Sequence, residues 1–351
     1  MILPQNRRQQ WNGSSFMKKY TIATLGSHSA LQILKGAHDE GFKTLLITMN
    51  DRQSLYERFS FIDEIILIKN YQEFPKLENQ LRQKNTIIIP HGSFVAYLGM
   101  EGNKKIRTPY FGNKKVLDWE ADRMKQHEWM KKAQLNKPPL YDNPDEAEYP
   151  VIVKSFGAAG GKGYIFAGSK KEFKRKIKTM SHKQYIIQKY IIGVPLYIHY
   201  FYSPLSKKIE ILGIDRRYET NTDAWGRIPF REQKEMKTDL SYVVVANSPL
   251  TLRESMLPEA YAMGERLVEA SKKIIDSRGI FGPFCLETII TSDQKFHVIE
   301  ISARIVAGTF LFEQGSPYSW LLYDEPMSMG RRIAREIKIA IEKNKLDLIL
   351  D

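Results

Sequence analysis

From Tyr20 onward the chain alternates short apolar runs with amphipathic stretches. The runs YTIATL (20–25), KTLLITM (43–49), DEIILI (63–68) and NTIIIP (85–90) read as strands. Between them SALQILKGAHDEG (29–41) carries apolar residues at helical spacing and stops at Gly41. YQEFPKLENQLRQK (71–84) reads as a second helix, with Pro75 near its start. Strand and helix in alternation predict a parallel α/β unit over residues 17–112. Residues 1–16 show no periodicity and are expected to form a disordered or non-native tail, with Met17 a natural beginning.

The pattern then changes. NKKVLDWEADRMKQHEWMKKAQL (113–135) reads as one helix, and the Pro-rich segment to residue 150 as a loop. The strand YPVIVKSF, a glycine loop, the strand GYIFAG, the helix SKKEFKRKIKTM and the strand YIIQKYI complete a small α+β domain, 113–192. Residues 193–351 form a larger one. It opens with two runs expected to pair, LYIHYFYS and KIEILGIDRRYE. A helix over 253–276, a hairpin over 283–302 and a helix over 329–350 follow.

Composition narrows the function classes. The 351 residues are 42% hydrophobic and 26% charged, as in globular proteins. No apolar run approaches the ~20 residues of a membrane-spanning helix, so no membrane association is expected. Cys285 is the single cysteine, which excludes an intrachain disulfide and a cysteine-rich metal site and fits a reducing, cytoplasmic setting. The net charge of +13 fits either a nucleic-acid binder or an enzyme with anionic substrates. The densest basic cluster, Lys170 to Lys178, also carries Glu172, Phe173 and Ile177 at helical spacing, and reads as a solvated helix face.

The stretch VIVKSFGAAGGKGYIFAG (151–168) is the first candidate for chemistry. A Walker A loop needs four residues between its first glycine and the Gly-Lys, then a hydroxyl. Here three residues separate Gly157 from Gly161-Lys162, and Gly163 follows. A Rossmann turn opens directly into a helix, whereas the apolar run after this loop is strand-like. The loop therefore joins two strands, as a flap whose bare N–H groups can close over phosphates. Lys154, ending the incoming strand, can reach the same phosphates. An ordinary glycine-rich turn with a solvated Lys162 is the alternative.

The second candidate is GPFCLETIITSDQKFHVIEISAR (282–304). A two- or four-residue loop centred between Asp293 and Gln294 sets Glu287 opposite Glu300, with Ile289 and Val298 as neighbours. Opposed Cβ atoms lie roughly 4.5–5.5 Å apart, where like charges repel. Two such carboxylates need a cation or a shared proton, and magnesium shared with substrate phosphates meets that need. A three-residue loop would shift the register, and two surface glutamates remain the alternative. Arg304, four residues on, could pair with a phosphate oxygen. Cys285 is expected to be a core residue rather than a catalytic one.

A flap followed about 130 residues later by an opposed carboxylate pair and an arginine resembles the ATP-grasp enzymes. The resemblance implies an ATP-grasp fold behind an N-terminal parallel-sheet domain. It implies ATP clamped by Lys154, Gly160, Gly161, Lys162 and Gly163, with backbone groups of Gln188, Lys189 and Tyr190 at the adenine edge. Magnesium or manganese would sit at Glu287 and Glu300, with Arg304 and Lys154 catalytic.

In the first domain, Gly26-Ser27-His28 and His91-Gly92-Ser93 each follow a strand and precede a helix, which are positions suited to anions. Simple N-capping by Ser27 or Ser93 is the alternative. With these, IATLGSHSALQILKGA, PHGSFVAYLG, PYFGNKKVLDWE, IHYFYSPL, LGIDRRYETN, GPFCLE and SMGRRIAREIK resemble the archaeal formate-dependent FAICAR synthetases, the PurP family, from Met17 to the C-terminus. That resemblance implies formylation of 5-aminoimidazole-4-carboxamide ribonucleotide (AICAR) by formate and ATP in purine biosynthesis, with formyl phosphate between. It places His28, Ser93 and Asn247 on AICAR and Glu219 on ATP, and implies a cytoplasmic homo-oligomer that does not act on nucleic acid. The family pattern has asparagine where Phe310 stands and another near Gln314. Phe310 thus either alters the formate or AICAR pocket, as in a paralogous ligase, or belongs to the core. A non-catalytic nucleotide- or RNA-binding protein is the reading from another class.

Overall fold

The computed structural model describes residues 17, 19–155, 164–180, 184–236 and 241–351. The first sheet contains β1 (Thr21–Leu25), β2 (Lys43–Met49), β3 (Glu64–Ile68) and β4 (Thr86–Ile88), all parallel in the order β3-β2-β1-β4. Helices α1 (Ala30–Asp39) and α2 (Phe74–Gln83) cover it. Alternation decides the packing. Ile22, Ile87 and Ile89 join Ile33 and Ala37 of α1, while Ala23, Leu25, Leu45 and Ile47 pack with Phe74 and Leu81 of α2. The chain reverses its direction across the sheet between β1 and β4, so the loops after those strands share one crevice. Helix α3 (Gly92–Lys104) leaves that crevice and kinks at Gly99, whose φ is 72°.

The helix expected over 113–135 is two helices, α4 (Lys114–Ala121) and α5 (Arg123–Lys132). Asp122 breaks it. Its backbone is extended, and its carboxylate accepts from the N–H groups of Met124 and Lys125, capping α5. The small sheet that follows contains β5 (Leu140–Tyr141), β6 (Val151–Ser155), β7 (Tyr164–Ala167) and β8 (Tyr185–Lys189), in the order β5-β8-β6-β7. The strands β6 and β7 flank the glycine loop in antiparallel pairing, as expected of a flap. Gly160, Gly161, Lys162 and Gly163 themselves lie outside the described residues. Helix α6 (Lys170–Lys176) buries Phe173 and turns its lysines outward.

The large sheet comprises β9 (Val194–Ser203), β10 (Lys208–Glu219), β11 (Val244–Pro249), β12 (Gly282–Ile290) and β13 (Phe296–Ser302), in the order β11-β10-β9-β12-β13. Helix α7 (Leu257–Ile274) covers one face, where Tyr200 stacks on Phe284 and donates to the Ala260 carbonyl. The other face is polar. Helix α8 (Pro317–Tyr323) and helix α9 (Met329–Glu342) follow. The last helix ends eight residues before Leu350, the end expected for it, because Asn344 turns left-handed with φ 52°. The C-terminal residues run back to the first domain, where Leu350 bridges Phe111. No helix among the described residues is long and apolar enough to cross a membrane.

Candidate active site

The polar face of the large sheet carries a cross-strand row. Asp215 pairs with Tyr197, Tyr197 with Glu287, and Glu287 with Glu300. The opposition of the two glutamates is therefore real, but it arises by a different route from the one expected. Beyond the last pair, Ile290 opposite Phe296, the Thr291 N–H donates to the Lys295 carbonyl at 3.1 Å, which leaves a three-residue loop, 292–294, with Gln294 left-handed at φ 61°. That loop puts Thr288 across from Val298 and Ile289 across from His297. Ile299 is then an extra residue, a β-bulge, and it restores the Glu287–Glu300 pair. The neighbours expected for that pair, Ile289 and Val298, are not opposite each other.

Charge around the pair is balanced by cations from three elements, β10, β6 and α5. Arg217 on β10 donates to Glu287 Oε1 at 3.0 Å and lies 3.7 Å over the Tyr197 ring. Ser302 donates to the same oxygen at 3.3 Å. Burial and then the Glu287 charge push the Glu300 carboxyl above its ordinary range, and Lys154 and Arg123 oppose the rise. Lys154 is 5% exposed, and burial lowers its ammonium against the pull of Glu300. Arg123 heads α5 and donates to the Ser155 carbonyl at 3.0 Å, beside Lys154. Among the described residues no three His, Cys, Asp or Glu side chains group to hold a metal. Two carboxylates with cations beside them fit a metal that shares its remaining coordination with substrate phosphates.

Arg304 lies just past the hairpin and is held by Glu120. Its Nε donates to Glu120 Oε1 at 3.0 Å, while Glu120 Oε2 accepts from the Ala303 N–H at 2.9 Å. Its guanidinium rests against Gly92, where an added Cβ would stand 2.7 Å from Cζ. Arg304 thus joins the glutamate hairpin to the crevice of the first sheet. There the rings of His28 and His91 lie 4.9 Å apart. The His28 edge is open to the cleft; enclosure by neighbouring atoms, then the Arg304 charge, push its imidazole down to about 4. Neither serine of the two motifs acts as an N-cap. Ser29 and His91 occupy those positions, and Ser93 Oγ donates to Ser27 Oγ at 2.7 Å. Ser27 in turn meets Tyr97 Oη at 3.1 Å, with Arg52 beyond it.

The remaining expected residues are spread over the small and large sheets and the segment after the hairpin. Gln188 is 2% exposed and shares a recess with Lys154, Arg123 and His127. The N–H groups of Lys189 and Tyr190 already donate to the Pro139 and Pro150 carbonyls, which narrows their contribution at an adenine edge to carbonyl oxygens. Burial and then Asp223 push the Glu219 carboxyl up to about 7. Asn247 pairs with Arg217 across β10 and β11 and donates to Asp215. Cys285 is fully buried. Phe310 is 50% exposed and Gln314 is exposed, so Phe310 is not a core residue. Arg123, Glu120, Arg217 and Asp215 are the site residues that sequence reasoning missed. The alternation of Asp215, Arg217 and Glu219 along one strand was the available signal for two of them.

Comparison with known proteins agrees with this architecture. Residues 22–141 match a family described as a protein of unknown function, DUF1246, and residues 167–351 match a domain of unknown function, DUF1297. A curated relative from Pyrococcus horikoshii is 51% identical over 94% of this chain and 99% of its own. One from Saccharolobus solfataricus is 48% identical over the same shares. Both carry the name 5-formaminoimidazole-4-carboxamide-1-(beta)-D-ribofuranosyl 5'-monophosphate synthetase. The crystal structure of an IMP biosynthesis protein PurP from Thermococcus kodakaraensis superposes with a TM-score of 0.76 at 32% identity, covering 94% of this chain and 100% of that one. The ADP complex of an N5-carboxyaminoimidazole ribonucleotide synthetase, at 13% identity and TM-score 0.68, covers 92% of this chain and 77% of its own and shares the fold.

Proposed function

The chain belongs to the PurP family of FAICAR synthetases, ATP-grasp ligases of purine biosynthesis, and on that premise we propose how its own residues carry the reaction. The reaction condenses formate with the 5-amino group of AICAR. Formate oxygen attacks the γ-phosphorus of ATP and ADP leaves; the amine then attacks the formyl carbon and phosphate leaves with the formate oxygen. No protein nucleophile takes part.

Glu287 and Glu300 would hold the metal, magnesium or manganese, which when bound would neutralise charge on the transferring phosphate. Lys154 and Arg123 add positive charge from the side of the small sheet, at the end of the strand that leads into the glycine loop. Glu219 and the carbonyls at Lys189 and Tyr190 take the nucleoside end of ATP. His28 and Ser93 orient AICAR from the crevice between β1 and β4, and Asn247 meets it from β11 of the large sheet. Arg304, fixed by Glu120 and flanked by Gly92, stands where the two substrates meet and stabilises charge developing between them. Catalysis is positioning and charge neutralisation.

The supporting observation is Arg304 itself. One guanidinium, just past the glutamate hairpin, pairs with Glu120, rests on Gly92 and places its charge near His28, which supports reading the anionic crevice and the phosphate cleft as one site. ADP release should require both formate and AICAR. Release that ignores either one overturns the proposal. Glu300→Gln should cut the turnover rate by about 100-fold, the scale of removing one electrostatic partner of a transition state, and full retained activity would refute the metal assignment.

A further inference from the structure

Beneath Asn247 lies a buried polar group that the reaction as described leaves without a task. Asp215 is fully buried and His199 is 1% exposed. His199 Nε2 donates to Asp215 Oδ1 at 2.6 Å, and Asn247 Nδ2 donates to Oδ2. Gly308 closes a third side, where a Cβ would stand 2.8 Å from both oxygens. Arg217, two residues along the strand, is committed to Glu287 at 3.0 Å.

An ionised carboxylate can only accept hydrogen bonds. Asp215 therefore sorts the two ends of the neighbouring amide. Its oxygen takes the Asn247 NH₂ group, and the amide oxygen is the end left for a ligand. We propose that Asp215 is a positioning residue that presents Asn247 as a hydrogen-bond acceptor, so that the site selects the 4-carboxamide of the aminoimidazole nucleotide over a 4-carboxylate. The inference rests on the reading that Asn247 meets that nucleotide. A carboxamide offers an N–H to the waiting oxygen. A carboxylate offers only lone pairs and leaves the acceptor unpaired, and sites built on such a polar match discriminate strongly.

Asp215→Asn tests the idea with almost no change of shape. His199 Nε2–H holds the new amide oxygen, so the new NH₂ faces residue 247. The Asn247 amide must then turn over and present NH₂ to the ligand. kcat/KM is measured by ADP release with formate and either AICAR or its 4-carboxylate analogue. The wild type should prefer the carboxamide by at least ~100-fold. Asp215→Asn should reduce that ratio by at least ~10-fold, with KM for ATP held within about twofold. Asn247→Ser, a change on an edge strand, supplies a hydroxyl that both donates and accepts. It should lower the ratio as well, which keeps the test open if Asp215→Asn does not fold. Wild-type selectivity retained in either variant overturns the inference alone. A wild-type protein that releases no ADP with formate and AICAR overturns the functional reading and this inference with it.

Discussion

His91 holds both of its ring nitrogens in use. Nε2 meets the Leu25 carbonyl at 2.9 Å, and Nδ1 accepts from the Ser93 N–H at 3.2 Å. Only the neutral ring with its proton on Nε2 satisfies both contacts. Burial, then His28, push the imidazole from 6.5 down to about 3. The unfolded chain thus takes up the proton first as pH falls. Stability from this group is complete above pH 6.5 and lost progressively toward pH 3. Between pH 7 and pH 5 the loss should be about 2 kcal/mol, read from urea unfolding. His91→Asn, whose side-chain oxygen can still cap Ser93, should remove that part of the pH dependence. At this scale some site residues were legible and others were not. Glu287 and Glu300 could be found because a strand repeats every two residues and a hairpin turn fixes the pairing to within one step. Glu120 gave no local sign, since its partner Ala303 lies 183 residues away, just past the hairpin.

The hairpin shows what an element can hide. Loop length and bulge each shift the register by one, and the two shifts cancel. The turn residues Ser292-Asp293-Gln294 admit several loop lengths, and nothing in the run VIEIS marks Ile299 as the extra residue. Gln294 carries the cost of the loop, because a side chain disfavours the left-handed region. Gln294→Gly should stabilise the protein by roughly 0.5–1 kcal/mol without altering activity, as measured by thermal unfolding and ADP release. The split between α4 and α5 has a similar origin. Helical spacing runs through Asp122, yet its carboxylate prefers to cap the helix that follows. The break turns Glu120 toward Arg304 on one side and Arg123 toward Lys154 on the other.

At the scale of the molecule, α1 and α9 lock the first sheet onto the large one. A Cβ on Gly36 would stand 2.2 Å from the Arg331 nitrogen, and one on Gly330 would stand 1.9 Å from the Gln32 carbonyl. Glu40, its side chain 2% exposed, binds Arg331 at 2.8 Å and Arg335 at 2.6 Å across the same contact. Gly330→Ala should cost about 1–3 kcal/mol by forcing the helices apart. Because His28 and Ser93 ride on the first sheet, KM for AICAR should rise more than KM for ATP. Steady-state kinetics with each substrate varied in turn will check this.

The parallel first sheet, the flanks of the glycine loop and the placing of Glu287 and Glu300 on the two arms of one hairpin were present in the local pattern. Each follows from a short period of two or 3.6 residues, or from a turn between neighbours. The contacts that tie the crevice of the first sheet to the glutamate hairpin were not. Arg304 reaches Glu120 and Gly92, Arg217 reaches Glu287, and Asp215 orders Asn247 across contacts that no periodicity records. Such partners are chosen by where packed layers place them, because a charge confined in a poorly solvated cleft must find its counter-charge wherever the fold brings one near.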